Sequence, residues 1–341
     1  MVWDNVTSLD VARRAGVSQS AVSRVFTPGA SVSQAMTDRV LAAANELGYR
    51  PNVLARSMIT GKSRLIGLVV AYLDNQFYPE ILEKMSRSLQ QRGYHVLVFM
   101  AQRTAGNIDA VLQEILDYQV DGIVLASVAM SSMLAERCDA AGIPVVLFNR
   151  AQQDDSFSTV TSDNFAGGRA LADFLVAGGH GRIAYIAGWE GASTQRDREA
   201  GFRAGLADHG HELFARGVGD FRTEQAAEAA LEMFSAKQIP DAVFVANDHM
   251  AFAVMEVLRG RLGLRVPEDV SVVGYDDVQL AAWPSFDLTT VSQPSDEMVA
   301  ETVAALIAQI EDGETAPRRV TIDGELVVRG SARRPAIGQK E

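Results

Sequence analysis

Gln19, Ser20, Ser23 and Arg24 concentrate hydrogen-bonding side chains within six residues near the start of a 341-residue chain. On one face of a helix, groups of this length reach base edges in a DNA major groove, arginine suited to guanine and glutamine to adenine. The alternative is a polar face that meets only water. A second set of candidates follows the ends of apolar runs further along: Tyr72, Phe77, Tyr78, Ser127, Asn149, Trp189, Asn247 and Asp276. Rings stack on sugar C–H surfaces while carboxylate, amide and guanidinium groups satisfy hydroxyls, so this mixture suits a hydroxyl-rich ligand.

The elements that would hold the first set are legible. Thr7 and Asp10 have the spacing of a capping box, opening a short helix with Val11, Ala12 and Ala15 on one side. Gly16 permits a turn, Ser18 can cap a second helix, and Val22 and Val25 turn its apolar side inward. Two short helices joined by a glycine turn form a helix-turn-helix pattern. A third helix is expected from 33 to 47, capped by Ser33 and closed by Gly48. Tyr49-Arg50-Pro51-Asn52 breaks the chain, and Asn52 can cap one more segment over 53–60. That segment is too short to be helical alone in water and should form only against a partner.

From residue 65 apolar runs alternate with helical spacing. Strands are expected at 65–71, 95–100, 122–126 and 144–148, with helices at 79–92, 107–118 and 131–141. The rhythm repeats with strands at 182–187, 242–246 and 271–275 and helices at 165–177, 198–209, 223–235 and 249–259. A late helix at 296–311 and strands near 320–322 and 326–328 follow. Short continuous apolar strands alternating with helices imply an α/β fold of parallel sheets covered on both faces, here two doubly wound subdomains. Open parallel sheets take ligands beyond the carboxyl ends of their strands, where the second candidate set stands.

The runs Val6-Thr7-Ser8-Leu9-Asp10-Val11-Ala12, Ala15-Gly16-Val17-Ser18, Val22-Ser23-Arg24-Val25, Leu47-Gly48-Tyr49, Pro51-Asn52 and Ala55-Arg56-Ser57 resemble the DNA-binding headpiece of the LacI/GalR family of bacterial repressors, and the similarity runs through the whole chain. The resemblance implies a homodimer in which Gln19, Ser20 and Arg24 read bases, with Thr7, Ser18, Ser23, Ser33, Tyr49 and Asn52 near phosphates. It implies a hinge helix paired across the dimer and wedged into the minor groove. Met58 stands where the family usually has leucine, either unstacking a base step or packing between the two hinge helices. By the same resemblance Arg198, in Arg198-Glu199-Ala200-Gly201-Phe202, and Asp276, in Val273-Gly274-Tyr275-Asp276, bind the effector, Asn247 supplies an amide, and Phe77, Tyr78 and Phe221 are aromatic pocket positions. Asn149 takes a place where some members carry aspartate.

The implied layout is an all-α headpiece over 1–51, a hinge helix and linker over 52–63, and a two-lobed body of periplasmic-binding-protein type over 64–341. The resemblance divides the body into one lobe at about 64–162 plus 294–322 and another at about 163–293 plus 323–341. Plainer roles stand beside these. Arg198 can be a surface ion-pair partner, Asn247 or Asp248 a cap for the helix that follows, Asp277 a cap for the next segment, and Trp189 or Trp283 a core or rim residue.

Charge agrees with a chain that touches phosphates at one end. Residues 1–62 hold seven Lys/Arg against four Asp/Glu, whereas the whole chain carries −12. The 48 % apolar content, the missing signal-peptide pattern and the short apolar runs lead us to expect a cytoplasmic, membrane-free globular protein. The single cysteine, Cys138, excludes an internal disulfide and is expected as an ordinary helix residue. No leucine heptads follow Arg329, so a dimer is expected without a tetramerising helix.

Two other classes compete. A solute-binding transport protein would share the two-lobed body but would need an export signal and has no use for a helix-turn-helix. An enzyme on a Rossmann-like scaffold lacks its GxGxxG and GxxxxGK[ST] motifs here, and the five histidines show no metal-ligand spacing. The expectation is therefore a ligand-responsive transcriptional regulator, a repressor, with operator DNA and a small sugar-like effector as partners and neither a cofactor nor a metal.

Overall fold

The computed structural model describes residues 6–27, 30–50, 62–101, 108–126, 128, 132–152 and 156–335. Asn52, Met58 and the expected hinge helix lie outside the described residues, as does Ser127. The chain divides into two units, Met1–Ser63 and Arg64–Glu341.

Among the described residues the first unit holds three helices: α1 (Ser8–Ala15), α2 (Gln19–Val25) and α3 (Gln34–Leu47). Thr7 and Asp10 form the reciprocal capping box, with Thr7 Oγ1 accepting from the Asp10 amide at 3.4 Å and Asp10 Oδ2 from the Thr7 amide at 3.0 Å. Gly16 closes α1 in the left-handed region, a turn that a side chain would strain. Val11, Ala12, Val22, Val40, Ala43 and Ala44 form one buried core, against which Phe26 and Tyr49 pack. One expectation fails at α3: Ser33 stands at the cap position with extended backbone, but its side chain makes no capping hydrogen bond.

The second unit holds two six-stranded sheets. The first has the order β11-β5-β4-β3-β1-β2, built from β1 (Leu65–Val70), β2 (His95–Met100), β3 (Gly122–Ala126), β4 (Val145–Phe148), β5 (Ser158–Ser162) and β11 (Arg319–Ile322), all parallel. The second has the order β12-β10-β9-β8-β6-β7, from β6 (Ile183–Ala187), β7 (Ala215–Val218), β8 (Ala242–Val245), β9 (Ser271–Asp276), β10 (Thr289–Ser292) and β12 (Leu326–Val327). Among the described strands only β12 runs antiparallel to its neighbour, β10.

Helices α4 (Phe77–Gln91), α5 (Ile108–Asp117) and α6 (Ser132–Ala140) link the early strands. Helices α7 (Asn164–Ala177), α8 (Ser193–Asp208), α9 (Thr223–Phe234) and α10 (Asp248–Glu256) serve the second sheet, and α11 (Ser295–Ile307) returns to pack on β4, β5 and α4. The chain thus passes between the sheets three times: after β5, after β10 and after β11.

The structure departs from the sequence pattern at β5, β7 and β10, which are strands without an apolar run. Their sequences, STVTS, ARGV and TTVS, carry hydroxyl and charged groups that find specific partners. Helix α8 also starts at Ser193, five residues before the expected position, so Arg198 sits within the helix rather than opening it. The contact of α7 with α8 is close because glycines line it: a Cβ at Gly168 would meet the Arg198 carbonyl, and one at Gly201 the Phe165 carbonyl.

Candidate functional site

On the headpiece, Gln19, Ser20, Ser23 and Arg24 are all exposed on α2, opposite buried Ala21 and Val22. Ser18 caps the helix, its Oγ accepting from the Ala21 amide at 3.2 Å and lying 2.9 Å from the Ser20 hydroxyl. Gln19 Nε2 donates to Ser8 Oγ at 2.9 Å, which joins the polar face of α2 to α1. Thr7 and Ser33 are exposed at the starts of α1 and α3, where free backbone N–H groups favour phosphate. Tyr49 is half-buried, its ring tilted against Phe26 at 5.8 Å.

In the body, strand ends from both sheets meet around Asp276. Its Oδ1 accepts from Gln293 Nε2 at 2.7 Å and from Arg198 Nη2 at 3.3 Å, and its Oδ2 accepts from Asn75 Nδ2 at 3.2 Å. Asn75 follows β1, so that last bond runs from the first sheet's lobe to the second's. Arg198 is fully engaged: Nε donates to Asn164 Oδ1 at 2.8 Å, Nη1 to the Ala246 carbonyl at 2.6 Å, and the guanidinium lies 3.7 Å from the Tyr275 ring centroid. The surface ion-pair role for Arg198 is excluded, because the side chain is 3 % exposed.

Burial pushes the Asp276 carboxyl upward, and the Arg198 guanidinium works against that shift. Asp248 is more extreme. Fully buried beside Asp276, its carboxyl is driven well above the ordinary range by desolvation while Thr290 Oγ1 donates to it at 2.7 Å and the Val278 amide at 3.0 Å. Asn247 is the N-cap of α10, its Oδ1 accepting from the Met250 amide at 3.0 Å, so the plain capping role holds. Asp277, expected as a cap, instead faces Arg329 at 2.7 Å.

From the other lobe, Asn149 Nδ2 donates to the Tyr78 hydroxyl at 3.2 Å, and Asn149 Oδ1 is buried without a hydrogen-bond partner among the described residues. The Tyr78 ring meets Tyr72 edge-on at 5.3 Å, and Phe77 lies beneath it in the core, stacked on Phe148 at 6.3 Å. The Arg150 guanidinium reaches across the lobes to the Trp189 ring at 5.5 Å and the Phe221 ring at 5.9 Å. Phe221 also covers Gly188, where any Cβ would strike its ring. Half-buried Trp189 thus touches the cleft, whereas Trp283 is exposed on the surface.

Backbone strain gathers in the same place: Asn149, Asp220, Phe221, Asp276 and Asp277 all have positive φ. Sequence reasoning missed Asn75, Arg150, Asn164 and Gln293 as site residues. Asn75 and Arg150 follow the apolar strands β1 and β4, whereas Asn164 and Gln293 follow polar strands that carry no apolar signal.

Comparisons with known proteins fit this geometry. Residues 7–52 match the model for bacterial regulatory proteins of the lacI family, and residues 172–332 match that for a periplasmic binding protein-like domain. The ribose operon repressor of Escherichia coli strain K12 is 32 % identical over 335 residues, covering 96 % of this chain and 99 % of that protein. The regulator CelR of Thermobifida fusca is 34 % identical over 330 residues, covering 94 % and 96 %. Among solved structures, the Lac repressor dimer bound to operator and the anti-inducer ONPF has a TM-score of 0.86 at 29 % identity, covering 96 % of this chain and 99 % of that one. A CelR–cellobiose complex has a TM-score of 0.71 at 34 % identity, covering 96 % and 100 %.

Proposed function

The chain belongs to the LacI family of bacterial regulatory proteins, and we infer that it is a ligand-responsive, DNA-binding transcriptional repressor that acts as a homodimer and not an enzyme. Each protomer presents the α2 face to one half of a near-palindromic operator. Arg24, Gln19 and Ser20 read base edges, and Thr7, Ser18, Ser23, Ser33, Tyr49 and Asn52 contact phosphates. Met58 belongs to the hinge over 52–63 and serves there as minor-groove wedge. The protein works in the cytoplasm, where its operator is; among the described residues no helix is long and apolar enough to cross a membrane.

The effector is a small sugar or sugar derivative held between the lobes by Arg198, Asp276, Asn149, Tyr78, Trp189, Phe221, Asn247 and Ser127, with Phe77 as floor. The observation that carries this reading is the Asn75–Asp276 hydrogen bond, which puts a buried carboxylate at the meeting point of the two lobes. A ligand hydroxyl competing for Asp276 must change how one lobe bears on the other. Asn149 Oδ1, without a partner among the described residues, offers such a ligand a buried acceptor. Support for the homodimer comes from the edge strand β2, where Val98 and Met100 share one face and are 49 % and 47 % exposed.

The test is fluorescence anisotropy on an operator duplex enriched from a randomised pool, with D-ribose, cellobiose and other sugars titrated into the complex. Coupling of about 1–3 kcal/mol, a 5- to 150-fold change in operator affinity, is expected. Absence of salt-sensitive, sequence-preferring DNA binding refutes the reading.

A further inference from the structure

The ligand-facing pair Arg198–Asp276 belongs to a closed circuit of hydrogen bonds that begins and ends on one residue. Starting at Ser162, its carbonyl accepts from Asn164 Nδ2 at 2.9 Å, and Asn164 Oδ1 accepts from Arg198 Nε at 2.8 Å. Arg198 Nη2 donates to Asp276 Oδ1, the same oxygen that accepts from Gln293 Nε2 at 2.7 Å. Gln293 Oε1 then accepts from the Ser162 hydroxyl at 3.2 Å, which closes the loop. All five residues are buried.

The position of this circuit matters more than its strength. Ser162 ends β5 and Asn164 opens α7, so the two flank the first passage of the chain between sheets. Gln293 lies between β10 and α11, on the second passage. Tyr275 adds a strut, its hydroxyl donating to the Asp163 carbonyl at 3.3 Å while its ring carries Arg198. Each amide uses both ends: one faces the ligand pair, the other faces Ser162. An amide whose donor and acceptor are both committed transmits a shift at one end to the other, because a buried partner left behind costs the full desolvation penalty of that group.

We propose that Asn164 and Gln293 are positioning residues for the effector response, fastening the Arg198–Asp276 pair to both inter-lobe passages through Ser162. The proposal rests on the reading of the cleft as the effector site. A ligand that takes hydrogen bonds from Asp276 or Arg198 loosens the inner ends of both amides, and the two passages respond together because they share Ser162.

The deciding experiment needs no ligand. Ser162→Ala removes the hydroxyl but keeps the carbonyl, and Asp276→Asn alters the far side of Gln293. Unfolding midpoints in urea for wild type, both single variants and the double variant form a cycle. The shifts should be non-additive with Gln293 present and become additive in a Gln293→Leu background; additivity with Gln293 present overturns the proposal.

A second arm reads function. Ser162→Ala should bind D-ribose or cellobiose within about threefold of wild type while its ligand-induced change in operator affinity shrinks at least about fivefold. A full wild-type response in Ser162→Ala also overturns the proposal. If wild type answers no sugar at all, the effector reading fails, and the urea cycle still decides the circuit.

Discussion

Arg198 lies over the ring of Tyr275, its guanidinium carbon 3.7 Å from the ring centroid, while its Nη2 turns to the carboxylate of the next residue along the strand. Two consecutive positions on β9 thus hold one cation from its face and its edge. Arginine suits this because a planar guanidinium stacks and forks at once, which an ammonium cannot do. Arg198→Ala should lower stability by about 3–5 kcal/mol, since it strands Asp276 as a buried charge. Arg198→Lys should fold better yet lose effector binding. Urea unfolding and calorimetric titration distinguish the two.

Asp248 makes the body sensitive to pH in a defined direction. Its folded carboxyl holds a proton more tightly than the unfolded one, so its stabilising contribution is complete below about pH 4 and fades as pH rises through the folded value. Asparagine can accept from the Val278 amide and donate to the Thr290 hydroxyl, and it does not titrate. Asp248→Asn should therefore gain stability relative to wild type as pH rises toward neutrality. Urea midpoints across that range measure it, and parallel curves would contradict the assignment.

Arg24 is exposed on α2 beside Gln19 and Ser20. Arg24→Ala should weaken operator binding by about 1–3 kcal/mol and relax preference at one base pair. Arg13→Ala, on α1, should weaken binding to all sequences alike, if at all. Anisotropy against a panel of single-substitution operators separates the two outcomes.

Gly201→Ala tests the closeness of α7 to α8, because its Cβ would meet the backbone of Phe165 with no side chain able to yield. Overpacking of this kind costs about 1–3 kcal/mol, and the upper end is expected here. Gly260→Ala is the contrast: its Cβ meets open space at negative φ, so the thermal midpoint should hold or rise slightly.

The capping box is testable in isolation from the cleft. Thr7→Ala removes the acceptor for the Asp10 amide and should destabilise the headpiece by about 0.5–2 kcal/mol. Circular dichroism of the chain should show an earlier helical transition with the body's midpoint unchanged.

The sequence revealed whatever apolar periodicity writes: β1, β3, β4, β6, β8 and β9 are runs such as LIGLVV and SVVGYD whose burial follows from composition. It concealed β5, β7 and β10, because Ser162 and Thr290 look like loop residues until their hydroxyls meet Gln293 and Asp248. The strand ends already supplied Asp276 and the resemblance added Arg198, but neither showed what holds them. Asn75, Asn164 and Gln293 are ordinary amides locally, and their meaning comes from partners brought from as far as 201 positions away. Arg150 was visible at the end of β4, yet its placement between Trp189 and Phe221 depends on how the two lobes close, which no local pattern encodes.

The three passages between the sheets carry a lesson for anyone recombining such regulators. Because β11 and α11 come home to the first sheet late and β12 to the second later still, neither lobe is a continuous stretch of gene. A chimera that swaps sensing specificity by exchanging only the middle of the coding sequence would pair an old β12 with a new β10 and an old α11 with a new Gln293. Transplants should move everything from Arg64 onward as one cassette, leaving the headpiece to keep its own operator.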